Sequence, residues 1–294
     1  MRTELNFLIL EAKASCMIIK DHQPILIPVD FSKQSYIAVK QSYNLARFLK
    51  ASLVLLHVSA SNENEKKADL ESLAESTRNE SGLKVDVATM KGDLFECIVA
   101  KCTEIEPSIL MMPLDENAKF KGGLFGGGNT VPKFLPQIAC PIITMRSTEH
   151  KDGCRNIVMP FDLTPESREK VSFAVQLAHL YKADIRIVSV FKPNDDEYEN
   201  KLLPYLQQVK KFIKAEGVSC TNRSLPSTKP AEAIVEYAVK NDADLIIQIN
   251  QRDLSLGDKM TGTVGHRIVE LSPVPVLNVP PMKRESMSHF SSGM

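Results

Sequence analysis

The sequence predicts an α/β protein of two tandem, doubly wound domains, each with a five-stranded parallel sheet flanked by helices. The first observation is an internal repeat: Gln23–Ser35 recurs 132 residues later as Arg155–Ser167, and both copies run from an apolar stretch through Pro and Asp to a hydroxyl residue. The second is that short apolar runs alternate with segments of helical periodicity in both copies. A chain of 294 residues with this repeat has room for two domains.

The first strand and the first helix show the repeat most clearly. The run Ile25–Ile27 is too short for a helix and lacks strict alternation, so it predicts a strand buried on both faces. Residues 33–50 then place Val39, Tyr43, Ala46 and Leu49 on one helical face. The same offsets in the second copy hold Val171, Val175, Ala178 and Tyr181.

The later elements alternate in the same way. In the first copy we predict, in order, a strand at Ser52–Val58, a surface helix within 61–80, a strand at Lys84–Thr89, a helix at Leu94–Thr103, a strand at Ile109–Met112, a glycine loop with a helix, and a closing strand at Cys140–Thr144. The second copy has its first strand at Ile157–Met159. It then repeats the elements above at Asp184–Val190, Glu197–Glu216, Ser219–Ser224, Ala231–Val239 and Leu245–Ile247, followed by a glycine loop with a helix and the closing strand Val274–Asn278.

The domain boundaries follow from these elements. We predict an N-terminal extension at 1–22, a first domain at 23–148, a second domain at 154–282 and a flexible tail at 283–294. The polar linker between the domains is short, so we expect the domains to touch. Met17 as the true start of the protein is left open.

Composition narrows the function classes. Lys plus Arg and Asp plus Glu number 36 each, so there is no net positive field to attract nucleic acid or an anionic membrane. There is no apolar run long enough to span a membrane, and we expect a cytoplasmic protein. The six cysteines form no Cys-x-x-Cys pair and are expected to be buried reduced thiols, with neither a zinc site nor a disulfide framework.

Two carboxylates are placed where a ligand would bind. Asp30 and Asp162 follow the first strand of each copy, at the end of an open α/β sheet where ligands bind. The alternative is that each only accepts hydrogen bonds from the N–H groups that start the next helix. Thr164 is predicted to cap the second-copy helix with Pro165 in its first position, and Ser32 to cap the equivalent helix of the first copy.

Several short motifs recur in one order in both copies. They are Pro28-x-Asp30, Leu55–Val58, Gly92-Asp93, Thr228–Ile234, Ala243–Ile247, and the closing strands after Cys140-Pro141 and Val274-Pro275. In this order the sequence resembles the universal stress protein family in its tandem form, over about residues 23–146 and 155–281. The resemblance implies the adenine nucleotide alpha hydrolase-like fold. Some members of this family bind ATP through the first-strand Asp and a loop that contains a Gly-x-x-Gly pair and a later Gly-Ser or Gly-Thr. The resemblance therefore implies the same kind of ATP site at the corresponding residues.

The glycine loops depart from that pattern. Ile249 and Arg252 occupy the early glycine positions in the second copy, and Pro113 and Glu116 occupy them in the first. The residues that the resemblance assigns to a nucleotide are Asp30, Gly126, Gly127, Gly128, Asn129 and Thr130 in one copy, and Asp162, Gly262, Thr263 and Val264 in the other. Glycines let backbone N–H groups approach phosphate, so their loss argues for degenerate loops.

Two functions therefore stay open. The first is a non-catalytic stress-response binding or regulatory module, and the alternative is an ATP-binding switch or weak ATPase using one crevice. No catalytic or metal motif is present, His57 is expected to be packed or surface-exposed, and His266 to be solvated or near a phosphate. The partners expected are an adenine nucleotide and the other domain of the chain, which should pair face to face through the closing strands. A homo-oligomer is left open.

Overall fold

The computed structural model describes residues 19–62, 66–114, 137–146, 150–151, 153–164, 166–249 and 264–280. The elements of the first half are β1 (Ile25–Pro28), α1 (Lys33–Leu49), β2 (Leu53–Ser59), α2 (Lys67–Ser81), β3 (Val85–Lys91), α3 (Leu94–Ile105), β4 (Ile109–Pro113) and β5 (Ile142–Met145). Those of the second half are β6 (Asn156–Pro160), α4 (Glu166–Tyr181), β7 (Asp184–Phe191), α5 (Asp196–Ala215), β8 (Cys220–Pro226), α6 (Pro230–Lys240), β9 (Leu245–Ile249), α7 (Val264–Leu271) and β10 (Val276–Val279).

All of these strands belong to one ten-stranded sheet, in the order β3-β2-β1-β4-β5-β10-β9-β6-β7-β8. Within each half the neighbouring strands are parallel, as the alternation of strands and helices predicted. The strand order reverses direction between β1 and β4 and again between β6 and β9, and in a doubly wound sheet such a switch point opens a crevice. Each half therefore presents one crevice, beyond the carboxyl ends of its strands.

The sheet is buried on both faces because its strands are almost wholly apolar. Successive side chains of β1 alternate between two cores: Ile25 and Ile27 join one core, and Leu26 joins the other. The first core also takes in helices α1, α2, α4 and α5, and the second takes in α3, α6 and α7. Each core contains residues from both halves, so the two repeats share a continuous three-layer packing.

The helix starts follow the predicted capping residues. The Ser32 hydroxyl accepts a hydrogen bond from the backbone N–H of Ser35 at the start of α1 (3.2 Å). Thr164 Oγ1 accepts the N–H of Ser167 at the start of α4 (3.3 Å), which confirms the second predicted cap. Pro165 lies outside the described residues, as do the helix predicted after the first glycine loop and the tail at 283–294.

The two halves meet through their closing strands, edge to edge. β5 and β10 pair antiparallel, with Leu277 opposite Ile143. The pairing of the closing strands is thus confirmed, but the expected face-to-face packing is wrong. Each closing strand had one free edge, and joining those edges satisfies the backbone hydrogen bonds while leaving both sheet faces to the helices.

A buried polar network accompanies this seam. The Asn278 side chain accepts a hydrogen bond from Gln248 Nε2 (2.6 Å) and lies 3.4 Å from Thr144 Oγ1, while the Thr144 hydroxyl donates to the Val276 carbonyl (3.2 Å). Asn278 and Thr144 are both buried. Shifting the pairing would leave these polar groups without partners, so the network favours a single register.

The helical layer also joins the halves. Phe48 of α1 and Tyr181 of α4 make an edge-to-face contact with ring centroids 5.3 Å apart. Ile19, in the predicted N-terminal extension, is fully buried, and its backbone N–H and C=O both hydrogen-bond to the Gln176 side chain of α4 (3.2 Å each). Residues just before β1 therefore pack on the second half. Among the described helices, none combines the length and apolar character needed to cross a membrane.

Candidate functional site

The two repeated carboxylates lie at the two switch points of the sheet. Asp30 follows β1 and Asp162 follows β6, so each stands at the carboxyl end of the strand that borders a crevice. The sequence predicted this placement. The two sites have different surroundings, and that difference distinguishes the crevices.

In the first crevice the Asp30 carboxylate has few hydrogen-bond partners. Its Oδ1 atom accepts the backbone N–H of Ser32 (2.9 Å), the one hydrogen bond found for this carboxylate within the described residues. The side chain is half-buried. Phe31, the next residue, has a left-handed backbone (φ 63°), which is uncommon for a bulky side chain. Its ring packs on His57, with centroids 5.1 Å apart. Asp30 therefore keeps capacity to accept further hydrogen bonds.

His57 is a packed residue, as expected. It is buried near the end of β2, and its Nδ1 lies 2.7 Å from the carbonyl oxygen of Val29. Because a carbonyl only accepts, Nδ1 carries the proton in this contact. The imidazole thus ties β2 to the segment that leads into Asp30, and its Nδ1 is occupied by that bond.

In the second crevice the carboxylate of Asp162 is surrounded by donors. Oδ1 accepts both the backbone N–H of Thr164 (2.9 Å) and the Thr164 hydroxyl. The Ser167 hydroxyl also bonds to this carboxylate, and the Lys170 ammonium faces it. Three side chains of its own half therefore act on the aspartate. The hydrogen bond from the Thr164 N–H also fits the alternative considered from the sequence, in which the aspartate accepts bonds from N–H groups at the start of the next helix.

Lys170 is the feature that sequence reasoning missed. Its side chain is only 4% exposed, and Nζ donates to Ser167 Oγ (3.3 Å). The equivalent position in the first copy, 132 residues earlier, is Ala38, which is fully buried on α1. Comparing the two copies residue by residue would have revealed a lysine on the buried face of a helix, whereas helical periodicity alone did not.

The pKa shifts indicate an attraction between the charges of Asp162 and Lys170, with Ser167 lying between them. Burial raises the pKa of the Asp162 carboxyl, but the Lys170 charge and the hydrogen bonds from Thr164 and Ser167 outweigh burial, so the net pKa is lowered. Burial lowers the pKa of Lys170 to about 8, although the Asp162 charge acts in the opposite direction. A carboxylate and an ammonium thus hold each other at neutral pH.

Tyr198, in the first turn of α5, lies beside this pair. Burial, and after it the Asp162 charge, raises the pKa of the Tyr198 phenol, which also hydrogen-bonds to the backbone of Leu163. The second crevice is therefore lined with its own polar side chains close to the point where a ligand would meet Asp162.

The buried lysine predicts a pH dependence of stability. The unfolded chain holds the Lys170 proton up to about pH 10.5, whereas the folded chain releases it near pH 8. Within that window the unfolded chain binds more protons, so this residue makes the free energy of unfolding rise with pH, by about 3 kcal/mol in total. Buried cysteines such as Cys154, whose pKa is raised to about 12, act in the opposite direction in both proteins. The difference in the free energy of unfolding between the wild type and Lys170→Met, measured in urea, should therefore grow by about 3 kcal/mol across this range.

The control for this experiment is an exposed lysine. Lys211 of α5 is exposed, so Lys211→Met removes a positive charge without removing a buried one. Its pH profile should follow that of the wild type. A Lys170→Met profile that also follows the wild type would contradict the assignment of the buried charge.

The glycine loops mostly lie beyond what the structure describes. Gly126, Gly127, Gly128, Asn129, Thr130, Gly262 and Thr263 all lie outside the described residues, as do Glu116 and Arg252. Val264 is described: it begins α7 and is 42% exposed. Ile249 and Pro113, which replace early glycines, end strands β9 and β4 and are buried.

The start of α7 is tied to the sheet by Gln248. Its Nε2 donates to the carbonyl oxygen of Gly265 (2.9 Å), and a Cβ on Gly265 would come 3.4 Å from the Gln248 amide. The next residue, His266, is half-buried. Burial lowers its pKa, with Glu270 acting in the opposite direction. The first turn of α7 is therefore fixed against β9.

Comparison with known proteins extends these observations. The model of the universal stress protein family matches residues 22–122 and 153–280. A universal stress protein of Methanocaldococcus jannaschii is 29% identical over 145 residues, which cover 45% of this chain and 85% of that relative. The crystal structure of a universal stress protein from Archaeoglobus fulgidus superposes with a TM-score of 0.70 at 17% identity, covering 90% of this chain and 98% of the other.

A further solved structure, a functionally unknown protein from Pseudomonas aeruginosa, gives a TM-score of 0.68 at 19% identity and covers 88% of this chain and 93% of its own. Both structural neighbours span the two halves together, so the tandem fold recurs as a whole. The two segments matched by the family model make up most of the sequence. The chain belongs to the universal stress protein family, with two copies of the domain in tandem.

Proposed function

We propose that this chain is a non-catalytic stress-response binding module whose two halves have separate roles. The first half takes an adenine nucleotide at Asp30, and the second half is a scaffold that takes none. Family membership supports the stress-response role. The observation that carries the division is the contrast between Asp30, which accepts one described hydrogen bond, and Asp162, which is engaged by Thr164, Ser167 and Lys170.

The chemistry of the first crevice suits a ligand that donates hydrogen bonds from uncharged groups. An adenine amino group or a ribose hydroxyl donates hydrogen bonds, and a carboxylate with unused lone pairs accepts them. Asp30 is fixed by the Ser32 N–H, so its side chain is oriented before any ligand arrives. Such preorganisation lowers the entropy that binding must overcome.

The second crevice argues against a ligand on the same grounds. A nucleotide that bonded to Asp162 would displace Thr164 or Ser167 from the carboxylate, and would leave a buried ammonium less well paired. Leaving a buried charge without its partner is costly. Nor is Lys170 placed to reach a phosphate, since its ammonium is buried and bonded to Ser167.

We also propose that the first crevice binds its nucleotide without hydrolysing it. A general base needs a titratable group within hydrogen-bond reach of the proton that it takes. In the described part of the first crevice the nearby imidazole, His57, has its Nδ1 bonded to the Val29 carbonyl. The alternative, an ATP-binding switch or weak ATPase, is decided by the same experiment.

The test is thermal and chemical unfolding with and without ATP and magnesium. A ligand that binds only the folded state stabilises it by about 2.7 kcal/mol at roughly 100 times its Kd. We expect this stabilisation in the wild type and in Lys170→Ala, which restores the residue of the first copy, and we expect its loss in Asp30→Ala. The quantity compared is the nucleotide-induced shift of each variant, so that any intrinsic loss of stability cancels.

Four results would contradict the proposal. A shift that persists in Asp30→Ala would remove the first crevice as the site, and a shift that appears only in Lys170→Ala would place the ligand in the second. Phosphate release that is abolished by Asp30→Ala would favour the weak ATPase. No shift in any form would leave a nucleotide-free scaffold.

A further inference from the structure

A cavity at the opposite end of the sheet brings two cysteines together. It has a volume of about 360 Å³ and lies at the amino ends of β4 and β5, between the last turns of α3 and residues 137–141. Cys102 lies on α3 and Cys140 immediately precedes Pro141 and β5. Both line the cavity, which is far along the strands from the crevice at Asp30.

The two thiols are neighbours. Both line this cavity, both belong to the same hydrophobic cluster, and Cys140 is the main influence on the pKa of Cys102. They differ in exposure: Cys102 is buried, and Cys140 is half-exposed. Cys140 lies in residues 137–141, which belong to neither a long helix nor a strand, so a small shift of this segment would bring the two sulfur atoms to bonding distance.

We propose that Cys102 and Cys140 are a redox-sensitive pair that forms a disulfide when the protein meets a hydroperoxide. The proposal does not depend on nucleotide binding. Cys97, Cys154 and Cys220 are also free thiols, but each is buried, and the described residues place no second cysteine in hydrogen-bond contact with them.

The chemistry follows from the difference in exposure. The Cys140 thiolate attacks the peroxide O–O bond, an S–O bond forms, and the alcohol or water leaves, so that Cys140 becomes a sulfenic acid. The Cys102 sulfur then attacks the Cys140 sulfur. The S–S bond forms, the S–O bond breaks, and the hydroxide leaves as water with the proton of Cys102. The two thiols together lose two electrons, and the hydroperoxide gains them.

The assignment of roles has a second support. The hydrogen bond to Cys140, followed by burial, raises the pKa of the Cys102 thiol well above its ordinary value. While Cys140 is a thiolate, Cys102 therefore stays protonated and does not react with peroxide, because the thiolate is the nucleophile. Once Cys140 is a neutral sulfenic acid its negative charge no longer holds the Cys102 proton, which passes to the departing hydroxide as the S–S bond forms. The cavity gives a small oxidant access to Cys140.

The cross-link would act on the seam between the halves. Cys140 leads directly into β5, and the Pro141 carbonyl accepts the N–H of Leu110 (3.0 Å). A disulfide would tie α3 to the start of the strand that pairs with β10. It would also close the loop from residue 102 to 140, which restricts the unfolded chain and raises the midpoint of thermal unfolding.

The test is peptide mapping of the reduced, full-length protein after treatment with hydrogen peroxide, with free thiols alkylated before digestion. We expect a Cys102–Cys140 linked peptide and a raised unfolding midpoint, both reversed by a reductant. In Cys102→Ser, the reagent dimedone should trap a sulfenic acid at Cys140. Cys97→Ser, a change at another buried thiol of the same helix, is the matched control and should still form the linkage.

Two outcomes would overturn the inference. One is oxidation of wild-type Cys140 to sulfinic acid with Cys102 still a free thiol. The other is a linkage that joins Cys140 to a different cysteine, including Cys16, which lies outside the described residues. Because the decisive mapping uses the wild-type protein, poor folding of a variant cannot conceal either result.

Discussion

Replacing Asp162 by Asn is expected to lower the free energy of unfolding by about 2–3 kcal/mol. Without the charge of Asp162 the buried Lys170 loses its proton at pH 7, which costs about 1.4 kcal/mol for a group of pKa about 8, and the weakened helix cap accounts for the rest. The asparagine is close in size to the aspartate, so packing changes little and the loss reports on charge and on the cap. Chemical unfolding at neutral pH measures it. The nucleotide crevice proposed for the first half should be unaffected.

The repeat supplies a matched control. Asp30→Asn makes the same chemical change at the equivalent position, where Ala38 stands in place of the buried lysine. The asparagine oxygen can still accept the Ser32 N–H, so we expect a loss of no more than about 0.5–2 kcal/mol, the range for a capping residue. Equal losses at the two positions would contradict the buried ion pair.

A double variant separates the pair from its surroundings. In Asp162→Asn/Lys170→Met both charges are gone, and an apolar side chain fills much of the lysine's volume. Removing both members of a buried pair is often close to neutral, so the part of the loss in Asp162→Asn that comes from Lys170 should return. Additive losses would mean that the two side chains do not interact.

The sequence predicted the fold because the repeat tested each assignment twice. The strand at Ile25–Ile27 was short and ambiguous alone, but its counterpart at Ile157–Met159 had the same neighbours, and both became central strands of the sheet. The closing strands were likewise recognised as free sheet edges because both copies end in a strand introduced by proline. How two free edges join, in one sheet or in two stacked sheets, depends on which surfaces the helices cover, and periodicity does not contain that information.

The position of the candidate site could be predicted from the sequence, but the groups that surround each aspartate could not. Strand ends placed Asp30 and Asp162 correctly, since the carboxyl edge of an α/β sheet is set by topology. The effect of Lys170 on Asp162 depends on where a long, buried side chain places its charge, which no local pattern reveals. In the same way, Cys102 and Cys140 are 38 positions apart, and only the packing of α3 beside the start of β5 brings them into contact.

Leu277→Pro should have the largest effect on the joining of the halves. Leu277 is fully buried at the centre of β10, opposite Ile143 on one side and Ile247 on the other. Because β10 has a neighbour on each side, the backbone N–H of this residue points toward one of them, and proline removes it. Together with the lost leucine side chain, we expect a destabilisation of more than about 4 kcal/mol.

The consequence for shape distinguishes this seam from an ordinary core position. Once β5 and β10 no longer pair, the halves keep only their helical contacts, so the radius of gyration in small-angle scattering should rise along with the fall in thermal midpoint. Ile143→Pro, on the other side of the same pair, should behave alike.

Leu277→Ala, which keeps the N–H, should lose stability but stay compact. Thr221→Pro, in the outer strand β8 with a neighbour on one side only, should also stay compact. An unchanged midpoint and radius in both seam variants would mean that the β5–β10 ladder does not hold the two repeats together.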